Sequence, residues 1–513
     1  MKIYLCIILS WCFLYVSSQN QTVGLFQYDP GTFTGYTLFS SNETTYLIDN
    51  CGRLIHSWNS IYKPGLSVYL LENGDLLRTC RIQSSIFAGG GSGGRVERWD
   101  WNNNLIWEYD FSNSLYHQHH DIEPMPNGNI LVLCWEYKNY NEAVLAGRNP
   151  NAIIDGNLFP TYIIEVEPQG NNGINIVWEW SIWDHLIQDF DSSKNNYGNV
   201  AAHPELLDIN FYSGNGKNDW LHCNSIDYDP QLDQILISSR SLSEIYIIDH
   251  STTIAEAASH SGGNYGKGGD ILYRWGNPQV YRNGNILDKR LYGQHQAEWI
   301  THTTNDDGKI SIFNNGQGRN YSSVDIIDPP QDSSGGYYLS PNNMFGPDTA
   351  EWIYKGSNPL NFYASYISGA QRLPNGNTLI CHGTNGTFFE VDNQKNILWY
   401  YVSPIVNTGP LIQGTSIPTS INSWGNSTFR ATKYANNYPA FNGLALTPGP
   451  PLELLPLPNG CNIISNISES EIKSSSNPIK ILDLLGRPVK YESNKVLIYI
   501  YDDGKVEKRI TLQ

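Results

Sequence analysis

Histidine recurs in this chain in a shared local context. His117, His119 and His120 precede the turn Pro126-Asn-Gly128. His222, with Asn224 two places on, precedes the strand that begins near Asp233. His295, within Gly293-Gln-His-Gln-Ala-Glu-Trp299, precedes Asp306-Asp-Gly308. Gln371 stands in the same relation to Pro374-Asn-Gly376, and Thr384 follows in Cys381-His-Gly-Thr-Asn-Gly386. Arg240 lies eighteen residues after His222. A guanidinium offers a fork matched to a tetrahedral oxyanion, with Asn and His as further donors. A neutral imidazole also attacks electrophilic sulfur or phosphorus, dividing one hard step into two.

Any single histidine of this set reads first as a satisfied hydrogen bonder lining a channel. A histidine at the corresponding place in three separate repeats points to a shared site. Metal is the rival reading, because neutral imidazoles suit Zn, Cu or Fe. His117 and His119 form the one H-x-H pair, Asp121 is the carboxylate to accompany them, and no HxxxH occurs. No metal or other cofactor is expected on balance. His56, His185, His203, His250, His260, His302 and His382 lack the repeat relation and read as surface or structural.

The elements that must position these groups repeat. A branched-apolar strand, a polar turn and a strand carrying tryptophan recur around Trp58, Trp107, Trp178, Trp275, Trp352 and Trp399. A second element, an Asn-Gly type turn feeding an apolar strand, alternates with the first at Asn73, Asn127, Asp307 and Asn375, with a looser version at Asp233. Both residues of such a turn must tolerate positive φ, which makes it a strong hairpin signal. The six tryptophans are spaced by about 68 residues on average, enough for four antiparallel strands and variable loops. The expectation is an all-β chain, a six-bladed β-propeller; an array of β-sandwiches is the alternative. Corresponding positions of a propeller converge on one axis, so these residues meet although they lie far apart in sequence.

Composition agrees. Of 513 residues 40% are hydrophobic, too many for disorder, and the aromatic share of 12% with 46 Gly and 27 Pro suits strands and turns over helices. The formal charge of −17 excludes a general nucleic-acid surface without excluding a local cationic pocket. The six cysteines after residue 18 show no CxxC or zinc-ligand spacing; an exported chain can form disulfides, whose pairing the sequence does not give, and buried thiols are the default reading.

The segments His119-His-Asp-Ile-Glu-Pro-Met-Pro-Asn-Gly-Asn129, Asp219-Trp-Leu-His-Cys-Asn-Ser-Ile-Asp-Tyr228 and Leu236-Ile-Ser-Ser-Arg240 resemble the bacterial arylsulfate sulfotransferase family. So do Gly293 to Trp299 and Thr428-Phe-Arg-Ala-Thr-Lys-Tyr434, and the resemblance runs from about Gly65 to Leu452. It implies a six-bladed propeller that moves a sulfuryl group from a phenolic sulfate ester to a phenolic acceptor without a nucleotide donor. The chain has no phosphate-binding GxxxxGK[ST] loop, in keeping with that. The resemblance implies His295 as a nucleophile passing through a sulfohistidine, and His222, Asn224 and Arg240 as holders of the sulfuryl oxygens. His119 or His120 would complete the cationic pocket, and Gln371 and Thr384 would bind substrate. A binding propeller for anionic glycan or protein ligands is the alternative, and a metal-dependent hydrolase or lyase a third.

The ends of the chain carry their own signals. Residues 1–18 read as a signal peptide, with Lys2 ahead of an apolar run and Val16-Ser-Ser18 before the cleavage point, so the expected product is exported. The propeller is expected over 19–450, ending near Pro448-Gly-Pro-Pro451. Residues 451–513 read as a linker and a small β-sandwich-like module with a hairpin turn at Asp503-Gly504. Its last 40 or so residues are similar to the type A sorting domain of the type IX secretion system. That similarity implies passage through that machinery and a secreted or cell-surface location.

Overall fold

The computed structural model describes residues 20–211, 217–301, 303, 305–418, 425–458, 461, 478–482, 487–490, 496–501 and 506–510. The expected signal peptide and the Asp503-Gly504 turn lie outside them. The chain divides into two compact units, Met1–Pro458 and Asn459–Gln513.

The first unit is a six-bladed β-propeller. Each blade is an antiparallel sheet that stacks its strands from the channel outward. In that order, blade 1 is Ala431–Ala435, Gly35–Ser41, Thr44–Asp49 and Leu54–Asn59. Blade 2 is Pro64–Leu70, Leu76–Arg81, Gly94–Trp99 and Leu105–Asp110; blade 3 is Tyr116–Pro124, Ile130–Glu136, Thr161–Gln169 and Gly173–Ser181. Blade 4 is Cys223–Asp229, Gln234–Ser239, Glu244–Asp249 and Ile271–Trp275; blade 5 is His295–Trp299, Ile310–Asn314, Ser323–Ile327 and Trp352–Tyr354. Blade 6 is Gly369–Arg372, Thr378–His382, Thr387–Val391 and Ile397–Val402, with Gly24–Tyr28 added outside. Blade 1 therefore takes its inner strand from the end of the unit, and blade 6 an extra outer strand from its beginning. The ring is closed at both of these seams.

The repeated tryptophan has one job in every blade. Its indole N–H donates to the connection between the third and fourth strands of the next blade. The acceptors are Asp100 O for Trp58 at 3.0 Å, Gly173 O for Trp107 at 3.0 Å, and the Thr252 hydroxyl for Trp178 at 3.1 Å. Trp275 reaches Pro347 O at 2.8 Å, Trp352 reaches Asn393 O at 3.3 Å, and Trp399 returns to Asn50 O in blade 1 at 2.7 Å. A buried indole needs such a partner, which fixes its place at the outer edge where the next blade begins.

Apolar faces of adjacent blades supply the core. Leu77, Val96, Ile122, Val132 and Ile164 interdigitate between blades 2 and 3, all essentially inaccessible to water. Polar cross-ties accompany them. The fully buried Lys433 of blade 1 pairs with Glu390 of blade 6 at 2.9 Å. Cys80, Cys134, Cys223 and Cys381 are buried free thiols.

In the second unit, Pro478–Leu482, Val496–Tyr501 and Val506–Ile510 form a three-stranded antiparallel sheet with Val496–Tyr501 in the centre. Leu497 and Tyr499 are buried on it, as the alternation of one face requires.

Candidate active site

The inner strands of blades 3, 4 and 5 each break register where they enter the channel. The irregularities fall opposite Val132 and Cys134 in blade 3, between Cys223 and Ser225 in blade 4, and between His295 and Ala297 in blade 5. A bulge of this kind sets two residues against one and re-aims a side chain. The backbone turns left-handed at or beside these breaks, with φ of +53° at His120, +48° at His222 and +36° at Gln296. Three channel positions of successive blades thus share an uncommon backbone conformation.

His295 is buried and held at both ring nitrogens. Asn315 donates its amide to Ala364 O at 2.7 Å and Ile367 O at 2.9 Å, so its carbonyl oxygen must face the ring. That oxygen accepts from His295 Nδ1 at 2.8 Å. Nδ1 therefore carries the proton, and the lone pair sits on Nε2. The backbone N–H of Ile367 approaches that lone pair at 3.1 Å, from a turn in which Ile367 and Ser368 have φ of +44° and +83°. Burial, then the charge of Arg240, with smaller contributions from His222 and Arg430, holds the His295 pKa well below its ordinary 6.5. The imidazole is thereby held neutral, with its lone pair on Nε2.

His222 is oriented by Asp219. Its Nδ1 lies 2.5 Å from Asp219 Oδ2, and its own backbone N–H donates to Asp219 Oδ1 at 3.1 Å. The Trp135 indole also donates to Asp219 Oδ1, at 3.1 Å. Burial alone would raise the Asp219 pKa; the charge and hydrogen bonds of His222 outweigh it and bring the carboxyl below its usual range.

Of the adjacent pair His119 and His120, it is His120 that faces His222, with ring centroids 4.7 Å apart. His119 sits behind, stacked on Trp135 at 4.4 Å, and the two Nδ1 atoms are 2.9 Å apart. Burial pushes His119 down to about 3 and, with His222 and His119 as neighbours, carries His120 well below 6.5. Both nitrogens of His117 are taken by hydroxyls, Ser112 at 2.8 Å and Ser92 at 3.0 Å. A glycine-rich loop lies over these rings: a Cβ on Gly91 would stand 2.0 Å from His120 Cε1.

Arg240 follows the second strand of blade 4 and donates its backbone N–H to His222 O at 3.3 Å. Its Nε is buried and makes no hydrogen bond, and burial lowers its pKa from 12.5. Asn224 gives one amide hydrogen to Gln294 O at 2.8 Å, and its side-chain oxygen is buried without a hydrogen-bond partner. The structure thus gathers His295, His222, His120 and Arg240 into one electrostatically connected group, with Asn224 on the inner strand beside it. Thr384 follows the second strand of blade 6, as Arg240 does in blade 4. Gln371 instead bridges two blades: its amide binds both backbone groups of Lys433, accepting at 2.8 Å and donating at 3.2 Å.

The other end of the channel carries both signs of charge, with Arg98, Arg372, Arg430 and Lys433 beside its carboxyls. A cavity of about 960 Å³ opens there, lined by Glu123, Asp227 and Glu298 among others, and the three site histidines do not line it. Burial, with the charges of Asp121 and Asp229, pushes Asp227 up to about 7; burial and then the charge of Asp227 push Glu298 up to about 8. Arg430 stands at the boundary, donating to Asp121 Oδ2 at 2.7 Å and to Asn224 O at 3.0 Å. At the histidine end the charged donor is Arg240, whose Nε is unpaired, among imidazoles held neutral by burial.

Residues 29–404 match the sequence model of the family described as arylsulfotransferase (ASST). The chain belongs to the arylsulfotransferase family. Membership implies transfer of a sulfuryl group from an aryl sulfate to a phenol, a reaction suited to the gathered donors. No curated protein matches the chain. Among solved structures it is similar to a protein of unknown function from Bacteroides caccae, at 9% identity over 78% of this chain and 98% of that one, TM-score 0.42. It is also similar to virginiamycin B lyase from Staphylococcus aureus, at 10% identity over 75% and 90%, TM-score 0.35. Likenesses so distant carry no argument about chemistry.

For an arylsulfotransferase, four residues gain a place that sequence reasoning did not give them: Asp219, Asn315, Ile367 and Arg430. Asp219 was signalled by its spacing, three residues before His222, and Arg430 by its place in the Thr428–Tyr434 segment. Asn315 and the Ile367 N–H carried no signal of their own. Among the described residues, no helix is long and apolar enough to cross a membrane, which says nothing of strands.

Proposed function

We propose that this chain is an exported arylsulfate sulfotransferase that works by a ping-pong cycle through a sulfohistidine at His295. The observation that carries the reading is the orientation of His295: Asn315 fixes the proton on Nδ1 and leaves the lone pair on Nε2, where the Ile367 N–H meets it, within the electrostatic reach of Arg240 and His222. In the first half-reaction Nε2 attacks sulfur, an N–S bond forms, and the aryl S–O bond breaks with its electron pair leaving on the phenolate. Arg240, His222, His120 and the side-chain amide of Asn224 supply donors to the sulfuryl oxygens. The Ile367 N–H, released from Nε2, joins them. Loose group transfer of this kind is catalysed by positioning and charge stabilisation. In the second half-reaction the acceptor phenol oxygen attacks sulfur, its proton is taken up by a site base, and the N–S electron pair returns to Nε2. Residues 1–18 and the similarity of the C-terminal strands to a type IX sorting domain support export to the cell surface.

The test is release of nitrophenolate from 4-nitrophenyl sulfate with and without phenol. Release that depends on phenol and disappears in His295→Asn is expected. No release from several aryl sulfates by a folded protein would overturn the reading and favour an anion-binding propeller.

A further inference from the structure

Away from the channel, the connection between the third and fourth strands of blade 4 wraps against the outer strand of blade 3. It contains the short helix Ile254–Ala257, capped by Thr253 and Glu256, and leads through a glycine-rich turn to Asp270. Blade 3 ends there in the one-turn helix Ile182–His185. Three side chains meet at this junction. His185 Nδ1 and His260 Nδ1 each lie 2.8 Å from the same oxygen, Asp270 Oδ1. The ligand atoms of all three lie within 4.8 Å of one another.

The second nitrogen of His185 decides how this cluster reads. Nε2 lies 2.8 Å from Ala257 O, and a carbonyl only accepts, so Nε2 carries a hydrogen. A neutral His185 then has its lone pair on Nδ1, aimed at a carboxylate oxygen that is also an acceptor. Two acceptors this close require a proton or a metal ion between them. A second imidazole nitrogen, from the exposed His260, converges on the same oxygen, so three potential ligand atoms from two blades face one point. Two imidazoles and a carboxylate are a donor set that suits zinc, at bond lengths of about 2.0–2.2 Å. A ligating histidine commonly gives its other N–H to a backbone carbonyl, as His185 does to Ala257.

The surroundings hold the ligands in place. His185 is wholly buried and parallel to the Trp180 ring at 5.8 Å, while Trp180 donates to Gly269 O at 2.8 Å. Gly269 has no room for a side chain: a Cβ there would stand 2.0 Å from Ala257 O and 2.6 Å from His185 Nε2. Asp270 is nearly as buried as His185, whereas His260 is 62% exposed. Two ligands are therefore fixed by the fold, and the third closes over them from the surface. His260 also borders an open cavity of about 640 Å³, which gives a fourth position access to water.

We propose that His185, His260 and Asp270 bind one zinc ion that staples the blade 4 connection to the outer edge of blade 3. The ion's place is structural and distinct from the sulfuryl-transfer site. The experiment uses the untagged full chain, stripped with a chelator and titrated with zinc sulfate alone by calorimetry, with melting followed in parallel. The expected result is one zinc bound per chain, a rise of several degrees in the melting midpoint, and a tetrahedral absorption band when cobalt(II) replaces zinc. His260→Ala, which alters an exposed side chain, is expected to weaken zinc binding at least tenfold and to abolish the midpoint shift. His203→Ala, another exposed histidine of the same cavity, is expected to leave both intact. Absence of saturable zinc binding, or binding and a midpoint shift in His260→Ala equal to those of the unaltered chain, would overturn the proposal and leave a protonated His185–Asp270 pair as the explanation.

Discussion

Asp219 Oδ2 stands 2.5 Å from His222 Nδ1, and that contact sets which nitrogen of His222 faces the channel. With the Nδ1 proton held by the carboxylate, Nε2 is the atom presented to the His120 and His295 side of the site. Asp219 touches no reacting atom on this account; it is a positioning residue. Replacement by Asn keeps an oxygen for Trp135 but offers an N–H where the proton of His222 now lies. Asp219→Asn is expected to lower kcat for aryl sulfate turnover by up to about 10⁴, the loss seen when a carboxylate that fixes a catalytic tautomer becomes an amide. KM should move far less, and melting should stay near that of the unaltered protein. An unchanged kcat would remove Asp219 from the machinery.

The glycine-rich loop makes a paired prediction. Gly91 has φ of +85°, and a Cβ there would overlap the His120 ring, whereas a Cβ on Gly90 would sit 3.7 Å from the nearest atom, His222 Cε1. Gly91→Ala is expected to cut turnover at least tenfold while Gly90→Ala is tolerated. Steady-state kinetics on the two purified variants decide it; equal activities would show that His120 has no fixed place in the reaction.

The depressed pKa of His295 has a signed consequence. A histidine lowered well below 6.5 stays neutral as pH falls through the ordinary range and loses its lone pair only in stronger acid. The first half-reaction, measured as a single turnover of donor without acceptor, should be free of an acidic limb near 6.5. A rate that halves close to that pH would mean that the nucleophile is solvated and ordinary.

His250 shifts the other way. Burial works against its charge, but Asp233 at 2.7 Å and Glu165 at 3.0 Å raise its pKa to about 9. A raised histidine adds stability that is complete below its ordinary 6.5 and is lost as pH climbs through about 9. The contribution is on the order of 2–3 kcal/mol. Denaturant unfolding of His250→Gln should therefore differ most from the unaltered protein near pH 6 and converge with it near pH 10. A difference that stays constant across this range would contradict the ion-pair account.

The propeller was legible because its repeat is enforced by one hydrogen bond per blade. Each tryptophan must reach the next blade, and so Trp58, Trp107, Trp178, Trp275, Trp352 and Trp399 survive even where the surrounding repeat is degenerate. The histidines of blades 3, 4 and 5 were legible for a related reason, since corresponding positions of different repeats share an axis. What sequence could not supply was support from elsewhere in the fold. Asn315 and Ile367 act on His295 from positions 20 and 72 residues away, and the second acts through a backbone N–H that any residue would provide. The choice between His119 and His120 depended on a bulge, because one residue of register decides which ring enters the channel and which stacks on Trp135. His250 and the pair His185 and His260 fell outside the repeat relation and proved to tie blades 3 and 4 together, which spacing alone does not reveal.

The central claim is that the sulfuryl group rests covalently on His295. The most direct measurement is the intact mass of the protein after mixing with 4-nitrophenyl sulfate in the absence of acceptor, followed by peptide mapping under mildly alkaline conditions. The account predicts a gain of one SO₃ group on the peptide containing His295, discharged when phenol is added and absent in His295→Asn. Phenol-dependent turnover with no adduct, or an adduct on another residue, would contradict it.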